Sequence, residues 1–116
     1  MMTLREARCA FTECKARLIF YAISRGYEIA SAEGMDRPTA KDPTTDHMKG
    51  SLHEIGLAED FDLYKDGKYL TKTEDHAELG EYWEELGKAN KLPLVWGGRF
   101  SRPDGNHYAL SWQGKS

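Results

Sequence analysis

The chain has 116 residues, of which 40% are hydrophobic and 30% charged, and it carries a net charge of -3 at pH 7. That length supports one hydrophobic core and not two, so a single domain over residues 1–116 is expected. The composition is that of an ordinary globular domain, and the acidic balance without any run of Lys and Arg excludes a partner held mainly through phosphates, nucleic acid above all.

Residues 3 to about 25 repeat apolar side chains at Leu4, Ala7, Phe11, Leu18 and Ala22, the spacing of an amphipathic helix. Thr3 with Glu6 three residues on predicts the N-cap, and Gly26 the stop. Cys9 and Cys14 lie five apart on this helix and point away from each other, which predicts two free thiols helping to fill the core rather than a disulfide. "YEIASAEG" reads as a short strand ending at Gly34, and "MDRPTAKDPTTDHMKG", Met35 to Gly50, with two prolines and little to bury, as a loop. Loops this long in small domains more often line a functional site than not.

"GLAEDFDLY" followed by "KDGKYL" predicts a hairpin, with Leu57, Phe61 and Leu63 on one face and Ala58, Asp60 and Asp62 on the other. "TKTEDHAELGEYWEELGKAN" predicts a second helix opening at Thr73, with Leu79, Tyr82, Trp83 and Leu86 on its buried stripe and Pro93 beyond its end. The last segment holds a Gly-Gly pair, a Pro-Asp-Gly turn and a final alternating strand, "HYALSW". Helix, strand, hairpin, helix and terminal strand add up to a small α+β domain with helices packed on an antiparallel sheet. No segment reaches the roughly 20 apolar residues of a membrane span. The N-terminus carries charge where a signal peptide needs an apolar block, which predicts a chain kept in the cytoplasm unless another factor releases it.

In "SLHEIGLAEDFDL" a histidine and an aspartate, His53 and Asp60, stand seven residues apart across a loop that runs into a strand. Catalytic zinc takes three protein ligands from His nitrogen and carboxylate oxygen, among others, and keeps one position open. The third ligand has three candidates, His47 in the long loop, His76 in the first turn of the second helix, and His107 at the start of the last strand. His76, beside Glu74 and Asp75, reads as a solvated surface residue. His107 has Asp104 three residues before it, a carboxylate placed to act as general base and then general acid in metal-assisted hydrolysis. By itself "DGNH" is also an ordinary turn. His53-Glu54 does not begin an HExxH helix, because position 57 is Leu57 and Gly56 suits a helix poorly.

These residues resemble a known family. "SLHEIGLAED", read as S-x-H-x-x-G-x-A-x-D, is similar to the zinc signature of the D-alanyl-D-alanine carboxypeptidase and dipeptidase family, which includes phage L-alanyl-D-glutamate endopeptidases. "RLIFYAISRGYEIASAEGMDRP" resembles the family's first helix, first strand and following arginine, "LVWGGRF" its W-G-G segment, and "DGNHYAL" its closing acid-x-x-His strand, so the likeness runs along nearly the whole chain. The resemblance implies a hedgehog/D-Ala-D-Ala-peptidase-like fold with one Zn²⁺ held by His53, Asp60 and His107. It implies Asp104 as the catalytic acid and base, Arg37 as the group that holds substrate or stabilises the oxyanion, and Ser51, Trp96, Gly97 and Gly98 as residues of the substrate cleft. Four places depart from the family pattern: Asp104 where many relatives carry Glu, Arg99 where an acidic residue is frequent, Tyr108 where Phe is common, and "MDRP", which replaces a more usual aromatic or small residue before Arg37.

The implied function is hydrolysis of stem peptides in bacterial peptidoglycan, with a compact phage endolysin cutting the L-Ala to D-Glu bond as the first expectation. Such an enzyme has no separate wall-binding domain, acts as a monomer, does not insert in the membrane, and relies on a holin or similar partner for release to the wall. The alternatives are a D-Ala-D-Ala carboxypeptidase or dipeptidase, and a zinc-binding virion or structural module without catalysis. Trp83, Trp96 and Trp112 offer another reading as a ligand-stacking surface, with Trp83 on a helical stripe belonging to the core.

Overall fold

The computed structural model describes residues 1–32 and 51–116. The long loop read over 35–50, with Arg37 and His47, lies outside the described residues. The first helix, α1, spans Leu4–Ser24 and opens on a capping box in which Thr3 and Glu6 satisfy each other's backbone N–H groups. Its buried residues, Ala7, Phe11, Cys14, Leu18 and Ala22, form one stripe. Gly26 follows its end with φ +91°, a conformation that costs glycine little. Cys14 is buried as expected; Cys9 is exposed, because it stands two positions from Ala7 and Phe11 and so falls off the stripe. Both thiols are free.

The chain then runs through β1 (Glu28–Ser31), β2 (Ala58–Lys65), β3 (Lys68–Leu70), a 3-10 turn at Thr73–His76, α2 (Ala77–Asn90), β4 (Leu94–Trp96), a second 3-10 turn at Gly97–Arg99, and β5 (His107–Leu110). Asp66 and Gly67 both have positive φ in the two-residue connection of the β2–β3 hairpin, the turn that matches the twist of its strands. All pairings are antiparallel, in the order β1-β2-β5-β4. β2 is the organising strand. One edge carries β1, and the other carries β5 along Ala58–Asp60 and β3 along Leu63–Lys65.

Strand β4, over "LVW", goes beyond the sequence expectation, since three residues after a proline are too few for a period to register. The two helices cover the sheet around a core that includes Phe11, Leu18, Phe61, Leu63, Leu79, Trp83, Tyr108 and Leu110. Trp83 lies with its edge toward Phe11 and Tyr108, and its indole N–H is shared between the carbonyls of Val95 and Ala109, cross-strand partners on β4 and β5. A single side chain thus ties α2 to the two strands that end at the site. Among the described residues no helix is long and apolar enough to cross a membrane.

Candidate metal centre and its supporting turn

Asp60 on β2 and His107 on β5 are direct cross-strand partners, so their side chains leave the sheet on the same face. His53 reaches that face from the Ser51–Gly56 turn. The turn is closed by bonds from the N–H groups of Glu54, Gly56 and Leu57 to the carbonyls of Ser51, His53 and Leu52, and is pinned by the buried Leu52 and Leu57. The seven-residue spacing of His53 and Asp60 is therefore the length of a turn plus the first residues of a strand.

The side chains of His53, Asp60 and His107 converge, with one ligand atom from each within 4.8 Å of the others. His53 Nε2 stands 3.2 Å from His107 Nδ1, His107 Nδ1 stands 3.3 Å from Asp60 Oδ1, and His53 Nε2 stands 3.6 Å from Asp60 Oδ1. Ligands about 2.0–2.1 Å from a tetrahedral metal ion are separated by about 3.3 Å, so the triangle has the edges that zinc requires. Two imidazoles and one carboxylate also match the donor set of a catalytic zinc site. The side chains of His53 and Asp60 are 8% and 16% exposed, enough protein cover to favour a single cation over three separately hydrated groups. His107 presents Nδ1 to the triangle, while its Nε2 is buried and has no hydrogen-bond partner among the described residues.

The turn before β5 sets His107 and Asp104. Asp104 donates its N–H to Gly97 and accepts at its carbonyl from the N–H of His107. A Cβ on Gly97 would stand 2.2 Å from the Asp104 carbonyl oxygen and 2.8 Å from His107 Cβ, so only glycine permits this approach. Trp96, 4% exposed, donates its indole N–H to the Gly105 carbonyl at 2.7 Å. A Cβ on Gly80 or on Gly98 would overlap its ring. What Trp96, Gly97 and Gly98 contribute is thus the position of the 103–106 turn, with the indole buried rather than turned toward a ligand.

Asp104 is exposed as a residue, yet its carboxyl is held above the ordinary aspartate pKa. Loss of hydration raises it most, the nearby Asp60 charge raises it further, and His107 and His53 pull the other way. Ser51 accepts the first turn bond at its carbonyl, and its hydroxyl oxygen is buried without a partner among the described residues.

One residue behaves differently from its sequence reading, and the departure at Arg99 gains a partner. His76, expected on the surface, is 3% exposed, with Nδ1 2.9 Å from the Tyr108 hydroxyl. It closes a 3-10 turn rather than standing in the first turn of an α-helix, and that rotates its ring inward. Burial holds the imidazole below its usual pKa and the Tyr108 phenol above its own. The tyrosine that replaces phenylalanine has its hydroxyl satisfied by this histidine. Arg99 makes two 3.0 Å bonds to the carboxylate of Glu84 on α2 and lies 5.1 Å from the Trp96 ring, which fastens the Gly-Gly turn to the helix from outside. The pairing of Tyr108 with His76 was legible only as two departures, an aromatic with an added hydroxyl and a histidine without a role.

Residues 45–110, more than half of the chain, match the sequence profile of the D-alanyl-D-alanine carboxypeptidase family. The chain belongs to that family. The matched stretch includes His53, Asp60, Asp104 and the W-G-G segment. Among solved structures it is similar to the Serratia marcescens L-Ala D-Glu endopeptidase ChiX, with a TM-score of 0.60 and 17% identity over 92% of this chain and 85% of that one. At that identity the likeness establishes a common fold, the peptidase-type α+β domain. No curated protein matches the chain.

Proposed function

We propose that this carboxypeptidase-family protein is a zinc-dependent peptidase that cleaves stem peptides of bacterial peptidoglycan, most specifically the L-Ala to D-Glu bond, in the manner of a phage endolysin. The observation that carries the reading is the His53, Asp60 and His107 triangle with tetrahedral edges, followed along β5's leading turn by the carboxyl of Asp104. The solved neighbour of the same fold, an L-Ala D-Glu endopeptidase, supports the choice of bond.

In this reading His53 Nε2, Asp60 Oδ1 and His107 Nδ1 hold the ion. When bound, zinc supplies a Lewis acid that brings the pKa of water down toward about 7 and polarises the scissile carbonyl. Asp104 takes the proton of the attacking water and delivers it to the leaving amine. Arg37 and Ser51 are proposed from the family resemblance to bind the substrate, with Arg37 also facing the developing oxyanion. In this reading the protein acts as a monomer. For a lysis enzyme held inside the host, a holin-type partner would give access to the wall.

A second reading, a D-Ala-D-Ala carboxypeptidase or dipeptidase, is favoured by the description of the matching family. Digestion of purified peptidoglycan by the zinc-loaded protein separates the two: new N-terminal glutamate supports the endopeptidase, free D-alanine or D-Ala-D-Ala supports the alternative. A zinc-loaded protein that releases neither product overturns the hydrolytic reading.

A further inference from the structure

A groove of about 770 Å³ runs between α1 and the segment from His53 to Glu59. His53 belongs to both the groove and the metal triangle, so the two adjoin at that residue. Asp104 instead lines a smaller, mostly polar pocket with Thr73 and Asn106. A substrate lying across the triangle therefore has a depression on its His53 side that is distinct from the one beside the acid and base.

The charges in the groove do not cancel. Lys15 is paired with Glu59 at 3.2 Å, and Glu13 is paired with Arg17, also at 3.2 Å. Arg5 and Arg8 also line the groove, and among the described residues neither makes an ion pair through its side chain. They stand three apart on α1, so their side chains are neighbours on one face, about 5–6 Å apart at Cβ. Gly56, three residues beyond His53, leaves room for one of them: a Cβ there would lie 3.0 Å from Arg8 Nε. A groove that adjoins a metal centre at His53 and, among the described residues, holds two guanidinium groups without an ion pair suits a carboxylate, which a guanidinium grips with two parallel bonds.

The geometry points to Arg5 and Arg8 as the subsite that binds a free carboxylate of the stem peptide within a few residues of the cleaved bond. This assignment rests on the peptidase reading for the identity of its ligand. A stem peptide linked through the glutamate side chain leaves the glutamate α-carboxylate free, and amidation of that group removes the charge with little change of shape. The subsite therefore selects stem peptides with an unamidated glutamate.

The test pairs two synthetic stem peptides that differ only in that α-carboxylate or α-amide. Binding is measured by calorimetry and cleavage by product analysis on zinc-loaded wild type, Arg5→Gln and Arg8→Gln. Wild type is expected to bind the acid about 10- to 100-fold more tightly than the amide, the range for hydrogen bonds to a charged group, and the ratio is expected to collapse toward one in the variants. Arg5 is exposed near the start of α1, where losing a cation does not disturb the helix, so this variant remains informative if Arg8→Gln, in contact with Gly56, unfolds. Equal binding of both peptides by wild type, or an acid preference kept by Arg5→Gln and Arg8→Gln, overturns the subsite. Arginine-dependent binding of the acid without cleavage upholds the subsite and removes the peptidase reading. Cleavage of stem peptides at wild-type rates and with wild-type preference by both variants does the reverse.

Discussion

Two histidine clusters lie on either side of β5, and they use the same residue types to opposite ends. His76 is 3% exposed and its Nδ1 faces one hydroxyl, that of Tyr108, at 2.9 Å, so one donor meets one acceptor. His53 and His107 face each other and Asp60 Oδ1 in a triangle whose edges run from 3.2 to 3.6 Å. Three lone-pair atoms directed at one point are better served by a single cation than by protons along the edges. Burial alone does not separate a structural histidine from a ligating one; the number of acceptors sharing the same space does.

The comparison breaks most sharply if the triangle is opened. Replacing His53 or His107 by Ala is expected to abolish stoichiometric zinc binding and hydrolysis together, as measured by metal analysis and wall turbidity. Asp104→Asn is expected to keep the zinc and lose about 100- to 10,000-fold in hydrolysis, the usual range for a general acid and base; near wild-type turnover in a zinc-loaded variant would remove Asp104 from the reaction. Gly97→Ala pushes a methyl group against the Asp104 carbonyl and His107 Cβ. It is expected to cost about 1–3 kcal/mol in denaturant unfolding, the range for overpacking, and to reduce metal affinity as well.

On the other side, Tyr108→Phe removes the hydroxyl that the buried His76 Nδ1 faces and is expected to cost about 1–3 kcal/mol of stability while leaving zinc stoichiometry at one. The same pair gives a pH dependence. Burial depresses the His76 pKa, so below about 6.5 the unfolded chain takes up a proton that the folded one refuses. Its contribution to stability is full above that pH and declines as pH falls. In His76→Gln the slope of stability against pH between 7 and 5 is expected to be shallower than in wild type, compared on metal-free protein so that ligand protonation does not enter.

Much of this was legible in the sequence where one period or one spacing carried the information. The α1 stripe, the Thr3 and Glu6 cap and the Asp66-Gly67 hairpin follow from local rules. So does the projection of Asp60 away from Phe61 and Leu63. That the terminal strand brings His107 opposite Asp60 is a register, and registers are set by pairing across 47 residues rather than by any local pattern. The inward turn of His76 depends on a 3-10 segment where an α-helical start was expected, and the burial of Trp96 depends on Gly80 and Gly98 leaving space for its ring. Those are properties of contacts between distant segments, which composition and periodicity do not carry.

The most direct test of the central claim is metal titration of the chelator-stripped protein, followed by hydrolysis of purified peptidoglycan at each point. The account predicts one zinc per chain, absent in His53→Ala, with activity rising in proportion to occupancy. Hydrolysis that persists in fully stripped protein, or a wild-type chain that takes up no zinc, would contradict it.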